Sequence, residues 1–179
     1  MMNEGEEILE QYAGVRQYSG EKPKYKDLTY FGEQQVGNFI LTKKRILFLR
    51  KTTMTRLLGK EAAEWGGLAS LLAGLPQGIV IANFIGEKLS SAKVKPEEVE
   101  RILAEDSESI AIPLENIIDV EAKRAYMVTA YLMVKYNTPE GVKASSFVFG
   151  TAAKSQKDLA KAILAAKQEI TSASSNNSS

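Results

Sequence analysis

The chain has no cysteine and no histidine among its 179 residues. The first absence excludes disulfides and thiolate metal sites within it. The second removes the commonest general base and the commonest metal ligand. Carboxylate-only metal sites would need a cluster of Asp and Glu at ligand spacing, and none stands out, so neither a metal nor a cofactor is expected. Charge of one sign is also lacking. Twenty-three Lys and Arg against 22 Asp and Glu leave a net charge of +1. No global field therefore favours nucleic acid, and a basic binding surface has to be local. Nucleophile elbows, phosphate loops and dinucleotide fingerprints are missing as well, so the chain does not read as an enzyme. Glu97-Glu98 and Glu105-Asp106 read as the solvated face of a helix. The N-terminal MMNEGEEILE lacks the basic start and apolar core of a signal peptide. The location expected from it is cytoplasmic, with a peripheral position on the inner face of the membrane as an option.

What the chain does have is one long uncharged run. Trp65–Gly86, WGGLASLLAGLPQGIVIANFIG, extends for 22 residues without a charge. That matches a membrane-crossing helix in length, but Pro76 breaks it and Gln77 and Asn83 place polar groups near its middle. Each half spans only about ten residues, too short to cross. Gly66, Gly67, Gly74, Gly78 and Gly86 permit close helix approach. Lys51, Arg56, Lys60, Lys88, Lys93 and Lys95 flank the run and suit anionic headgroups, while Glu61, Glu64 and Glu87 crowd its ends and oppose a span. Three readings stay open: packing on the protein's own sheet or on a second copy, partial insertion at a membrane surface, and a true span. The residues expected to contact a membrane or a partner are Trp65, Leu68, Leu71, Leu72, Leu75, Ile79, Ile81, Phe84 and Ile85.

The rest of the pattern is strand-like. Ile8, Tyr12 and Val15 suggest a first strand over Glu6–Tyr18, with helical spacing as a competing feature. Val36–Leu41 and Arg45–Lys51 read as strands joined at Thr42-Lys43-Lys44, the second apolar on both faces. Helical periodicity occupies Thr55–Glu105, ending in a helix at Pro96–Asp106 with Val99, Ile102 and Leu103 on one face. Strands follow at Ser109–Pro113, Ile117–Lys123 and Met127–Tyr136, then a turn at Asn137–Gly141 and a strand at Val142–Phe149. A final helix, capped by Thr151, runs to about Ile170 with Leu159, Ala162, Ile163 and Ala166 on its apolar stripe. Thr171–Ser179 is small and polar and is expected to be disordered. The class is thus α+β: one domain over residues 1–170, with a helical insertion at 55–105 between strands 3 and 4.

This order, with GNFILTKKRILFLR and then IPLENIIDVEAKR, resembles the pleckstrin-homology-like superfold, in particular GRAM and bacterial or archaeal PH-type domains. The matching positions are Gly37, Leu41, Thr42, Arg45 and Phe48, then Ile112, Pro113, Leu114, Ile117 and Ile118, the strand Tyr131–Tyr136, and Phe147 and Phe149. The resemblance implies a partly open antiparallel barrel of about seven strands with one C-terminal helix. It also implies a non-catalytic binding or adaptor module that meets a membrane surface or a protein. Basic loops that could assist are Lys22, Lys24 and Lys26 in KPKYK, and Lys43, Lys44 and Arg45 at the first hairpin. The alternative is a self-associating structural protein whose insertion is a homo-oligomer interface without lipid. Nucleic acid is not expected as a partner.

Overall fold

The structure is a computed structural model that describes residues 7–24, 35–50, 96–126, 129–149 and 156–176. Seven strands form one antiparallel sheet: β1 (Ile8–Ser19), β2 (Gln35–Thr42), β3 (Arg45–Arg50), β4 (Ile110–Pro113), β5 (Ile117–Ala125), β6 (Thr129–Thr138) and β7 (Gly141–Val148). Helix α1 (Pro96–Glu105) lies between β3 and β4 in the chain, and α2 (Gln156–Asn176) follows β7. The sheet order is β4-β3-β2-β1-β7-β6-β5. The class is therefore α+β, as expected.

The two edge strands, β4 and β5, are consecutive in the chain. Only the 3-10 turn Leu114–Asn116 separates Pro113 from Ile117. Four residue steps reach roughly 14 Å at full extension. A flat seven-stranded sheet would hold its edges roughly 29 Å apart. The sheet must roll up, so that its first and last strands meet at one corner while remaining unpaired.

Rolling creates an interior lined by one parity of every strand. Val15, Phe39, Leu41, Ile46, Phe48, Ile112, Val134 and Phe147 belong to one buried cluster. Phe39 meets Phe147 edge-on at 5.1 Å between centroids and Phe149 at 5.3 Å. Such edge-to-face pairs add about 1 kcal/mol beyond area burial. Helix α2 lays Leu159, Ala160, Ile163 and Ala166 onto this core. Its Lys167 Nζ donates to the Ile117 carbonyl at 2.5 Å, fixing the helix beside the corner turn.

The opposite parity of β2 and β3 is buried too. Ile40, Leu47 and Leu49 pack against Val99 and Ile102 of α1. A strand apolar on both faces is thus explained by a helix outside and a core inside. The β2–β3 turn is organised by Thr42, whose Oγ1 accepts from the backbone N–H of Lys44 at 3.2 Å and of Arg45 at 3.0 Å.

Two sequence expectations change. In β1 a bulge at Ala13-Gly14 shifts the register between Tyr12 and Val15, with Gly14 at φ +66°. The bulge brings Tyr12 and Val15, three positions apart, to the same core, which is why the spacing imitates a helix. At the other end of the chain, α2 continues to Asn176, so Thr171–Asn176 is helical where disorder is expected. Extending an existing helix costs far less than starting one. Thr171 Oγ1 and Ser172 Oγ also donate to the carbonyls of Lys167 and Gln168 four residues back, at 3.1 and 2.9 Å. Residues 177–179, the Thr151 cap and the insertion from 55 to 95 lie outside the described residues.

Two outcomes are expected. A Cβ at Gly37 would lie 2.1 Å from the Leu49 carbonyl oxygen and 2.9 Å from the Phe48 ring. Gly37→Ala should therefore cost about 1–3 kcal/mol in urea unfolding. The Tyr12 phenol is pushed up to about 12 by burial first, then by the Glu10 carboxylate that its hydroxyl meets at 3.1 Å. The folded protein holds that proton at a pH where the unfolded chain, near 10.0, releases it. Stability due to this group is complete below pH 10 and falls as pH rises toward 12. Denaturant midpoints of Tyr12→Phe should decline less across that window than those of the unaltered chain.

Candidate functional site

Lys22 and Lys24 follow the end of β1, whereas Lys43, Lys44 and Arg45 sit at the β2–β3 turn beside its start, where Ile8 pairs with Thr42. Roughly 30 Å of strand separates the two groups. They do not share a surface.

Most of their charge is also engaged. Lys43 Nζ lies 2.5 Å from Glu7 Oε2. That hydrogen bond, with the Glu7 charge, holds the ammonium above its ordinary range. The Arg45 guanidinium pairs with Glu100 of α1. Lys22 Nζ sits 4.6 Å from the centroid of the Tyr126 ring, a cation–π contact. Lys22 belongs to a strap that crosses the outer face of β5–β7. Ser146 Oγ donates to the Gly20 carbonyl at 2.7 Å, Glu21 pairs with Lys135 at 2.6 Å, and Tyr126 donates to the Pro23 carbonyl at 3.3 Å. Below it lie buried Tyr131 and Met133. Lys24 and Lys44 are exposed. Lys26 and all nine apolar insertion residues, Trp65, Leu68, Leu71, Leu72, Leu75, Ile79, Ile81, Phe84 and Ile85, fall outside the described residues.

The rolled sheet has two ends. Helix α2 covers one. The other, where β1, β3 and β6 finish and β4 and β7 begin, holds a cavity of about 560 Å³. Its lining includes Gln17 and Ser19 of β1, Ile110 of β4, Tyr136 of β6, and Ser145 of β7. Gln17 and Ser145 are 4% and 2% exposed. Gln17 Nε2 donates to Ser145 Oγ at 3.4 Å, and Ser145 Oγ shares a hydrogen bond with the Tyr136 hydroxyl at 3.3 Å. Two charged residues also line it, Lys143, which pairs with Glu140, and Glu108, which pairs with Arg50. Asp106 shapes the approach to β4, accepting from the Glu108 N–H at 3.0 Å and from Ser109 Oγ at 3.1 Å.

Ser145 has an amide and a phenol beside it. Among those residues no group of Asp and Glu is placed to hold a metal ion, and no helix is long and apolar enough to cross a membrane. The chain matches no protein-family model and no curated protein.

Sequence reasoning did not single out Gln17, Tyr136 or Ser145. A signal for them exists: each occupies the parity that otherwise carries core residues, Gln17 after Val15, Tyr136 after Val134, Ser145 before Phe147. Seeing it requires the strand registers. For the hairpin cations the expectation is structural. Because the Lys43–Glu7 pair is exposed, Lys43→Ala should leave the urea midpoint within measurement error of the unaltered chain.

Proposed function

We propose that this chain is a non-catalytic binding module of the PH/GRAM-like type, a partly open barrel plugged by its C-terminal helix, that acts at a membrane surface. The observation that carries the scaffold is the sheet order β4-β3-β2-β1-β7-β6-β5, with edge strands joined by three residues and α2 over the core. Seven antiparallel strands in an unclosed sheet and a C-terminal helix support that reading. Membrane contact is supported by the uncharged Trp65–Gly86 run and its basic flanks. The pairing of Lys43, Arg45 and Lys22 with neighbouring groups argues that apolar insertion, more than headgroup attraction, supplies the affinity.

Flotation with anionic and with neutral liposomes, at low and high salt, tests this. Binding that survives high salt is expected, with a blue shift in the fluorescence of Trp65, the single tryptophan. Absence of flotation from both liposome types overturns the reading. A stable oligomer lost on replacing Leu71 and Leu75 by polar residues would then favour self-association.

A further inference from the structure

The cavity at the open end has the features of a built site. Two polar side chains more than nine-tenths buried, Gln17 and Ser145, occupy core positions on neighbouring strands. Gln17 pairs across the β1–β7 ladder with Phe147, and Ser145 is two residues along, which sets the two side chains on one diagonal of the same face. Val or Leu at either place would extend the aromatic core and lower the cost of burial. Instead a chain of neutral hydrogen bonds, Gln17 to Ser145 to Tyr136, runs along the wall.

We propose that this cavity binds an uncharged carboxamide. The reason lies in how the protons are spent. Gln17 donates to Ser145, and a Ser145 that passes its own proton to the Tyr136 oxygen leaves the phenol proton free to donate. No described residue donates to Gln17 Oε1. The wall therefore offers a donor at one end of the chain and an acceptor at the other. An amide carries the complement, a carbonyl oxygen and an N–H on adjacent atoms. The Ile110 side chain and the Tyr136 ring supply apolar wall for the remainder of the ligand. A carboxylate brings no N–H donor for Gln17 Oε1 and an amidinium brings no acceptor for the Tyr136 hydroxyl, so neither complements both ends of the chain. The volume, about 560 Å³, lies in the ordinary range for small-molecule sites. A carboxamide reaches such a site either as an Asn or Gln side chain or as a peptide bond, and the two differ in having a primary or a secondary nitrogen.

Four probes of one shape separate these cases: benzamide, N-methylbenzamide, benzoate and benzamidine, titrated into the 15N-labelled full chain and followed by two-dimensional NMR. Benzamide is expected to shift the Gln17 side-chain amide and the Ser145 backbone amide saturably, with benzoate and benzamidine weaker by about tenfold or more. N-methylbenzamide binding as well as benzamide identifies a peptide bond as the natural group. Its failure identifies a side-chain amide. Ser145→Ala should weaken benzamide at least about fivefold with the remaining spectrum unchanged. Should that variant not fold, the comparison of the four probes on the unaltered chain decides. Equal binding of the charged probes, shifts mapping away from Gln17 and Ser145, or no saturable shift up to the solubility limit of benzamide overturns the proposal. None of these outcomes depends on liposome binding.

Discussion

A three-residue link between the two edge strands governs this molecule. Pro113 and Ile117 belong to opposite edges of a seven-stranded sheet, yet the turn Leu114–Asn116 keeps them within a few residue lengths. The sheet can satisfy that tether only by curling, and curling converts one face of each strand into a common interior. The aromatic set Phe39, Phe48, Phe147 and Phe149 fills its centre. Gly37 is small because the β3 backbone and the Phe48 ring press on it there.

Curling also makes the ends unequal. At the corner turn, α2 supplies Leu159, Ile163 and Ala166 and anchors itself through Lys167 to Ile117. The opposite end receives no described helix. Polar residues replace apolar ones there, at the same parity, and the cavity lies where the replacement happens. The ends also separate the basic residues. Groups that look like one class of site in the linear chain stand at opposite ends of β1, and most of them meet a carboxylate or a ring. The described basic residues thus build no concentrated field.

Much of the architecture was legible in the chain. The strands from Val36 onward show β-branched and aromatic enrichment between clear turn signals, and their observed bounds lie within two residues of expectation. Thr42-Lys43-Lys44 and Asn137–Gly141 were readable as turns because local hydrogen bonding decides them: Thr42 Oγ1 in one, Thr138 Oγ1 donating to the Gly141 carbonyl at 2.8 Å in the other. The first strand was ambiguous because its bulge breaks the two-residue period. The C-terminal boundary was misplaced because composition reports the cost of starting order, and α2 was already started.

The sequence by itself determined the α+β class, the element order and the inability to build a cysteine- or histidine-based site, since these follow from residue types and local periodicity. Only the tertiary structure decided that Gln17, Tyr136 and Ser145 converge, that Lys43 meets Glu7, and that Arg45 meets Glu100. The physical reason is register. Gln17 and Ser145 are 128 positions apart in the chain, and no local propensity brings them together. Their meeting is set by the β1–β7 ladder, which pairs the first strand of the chain with the last in the middle of the sheet.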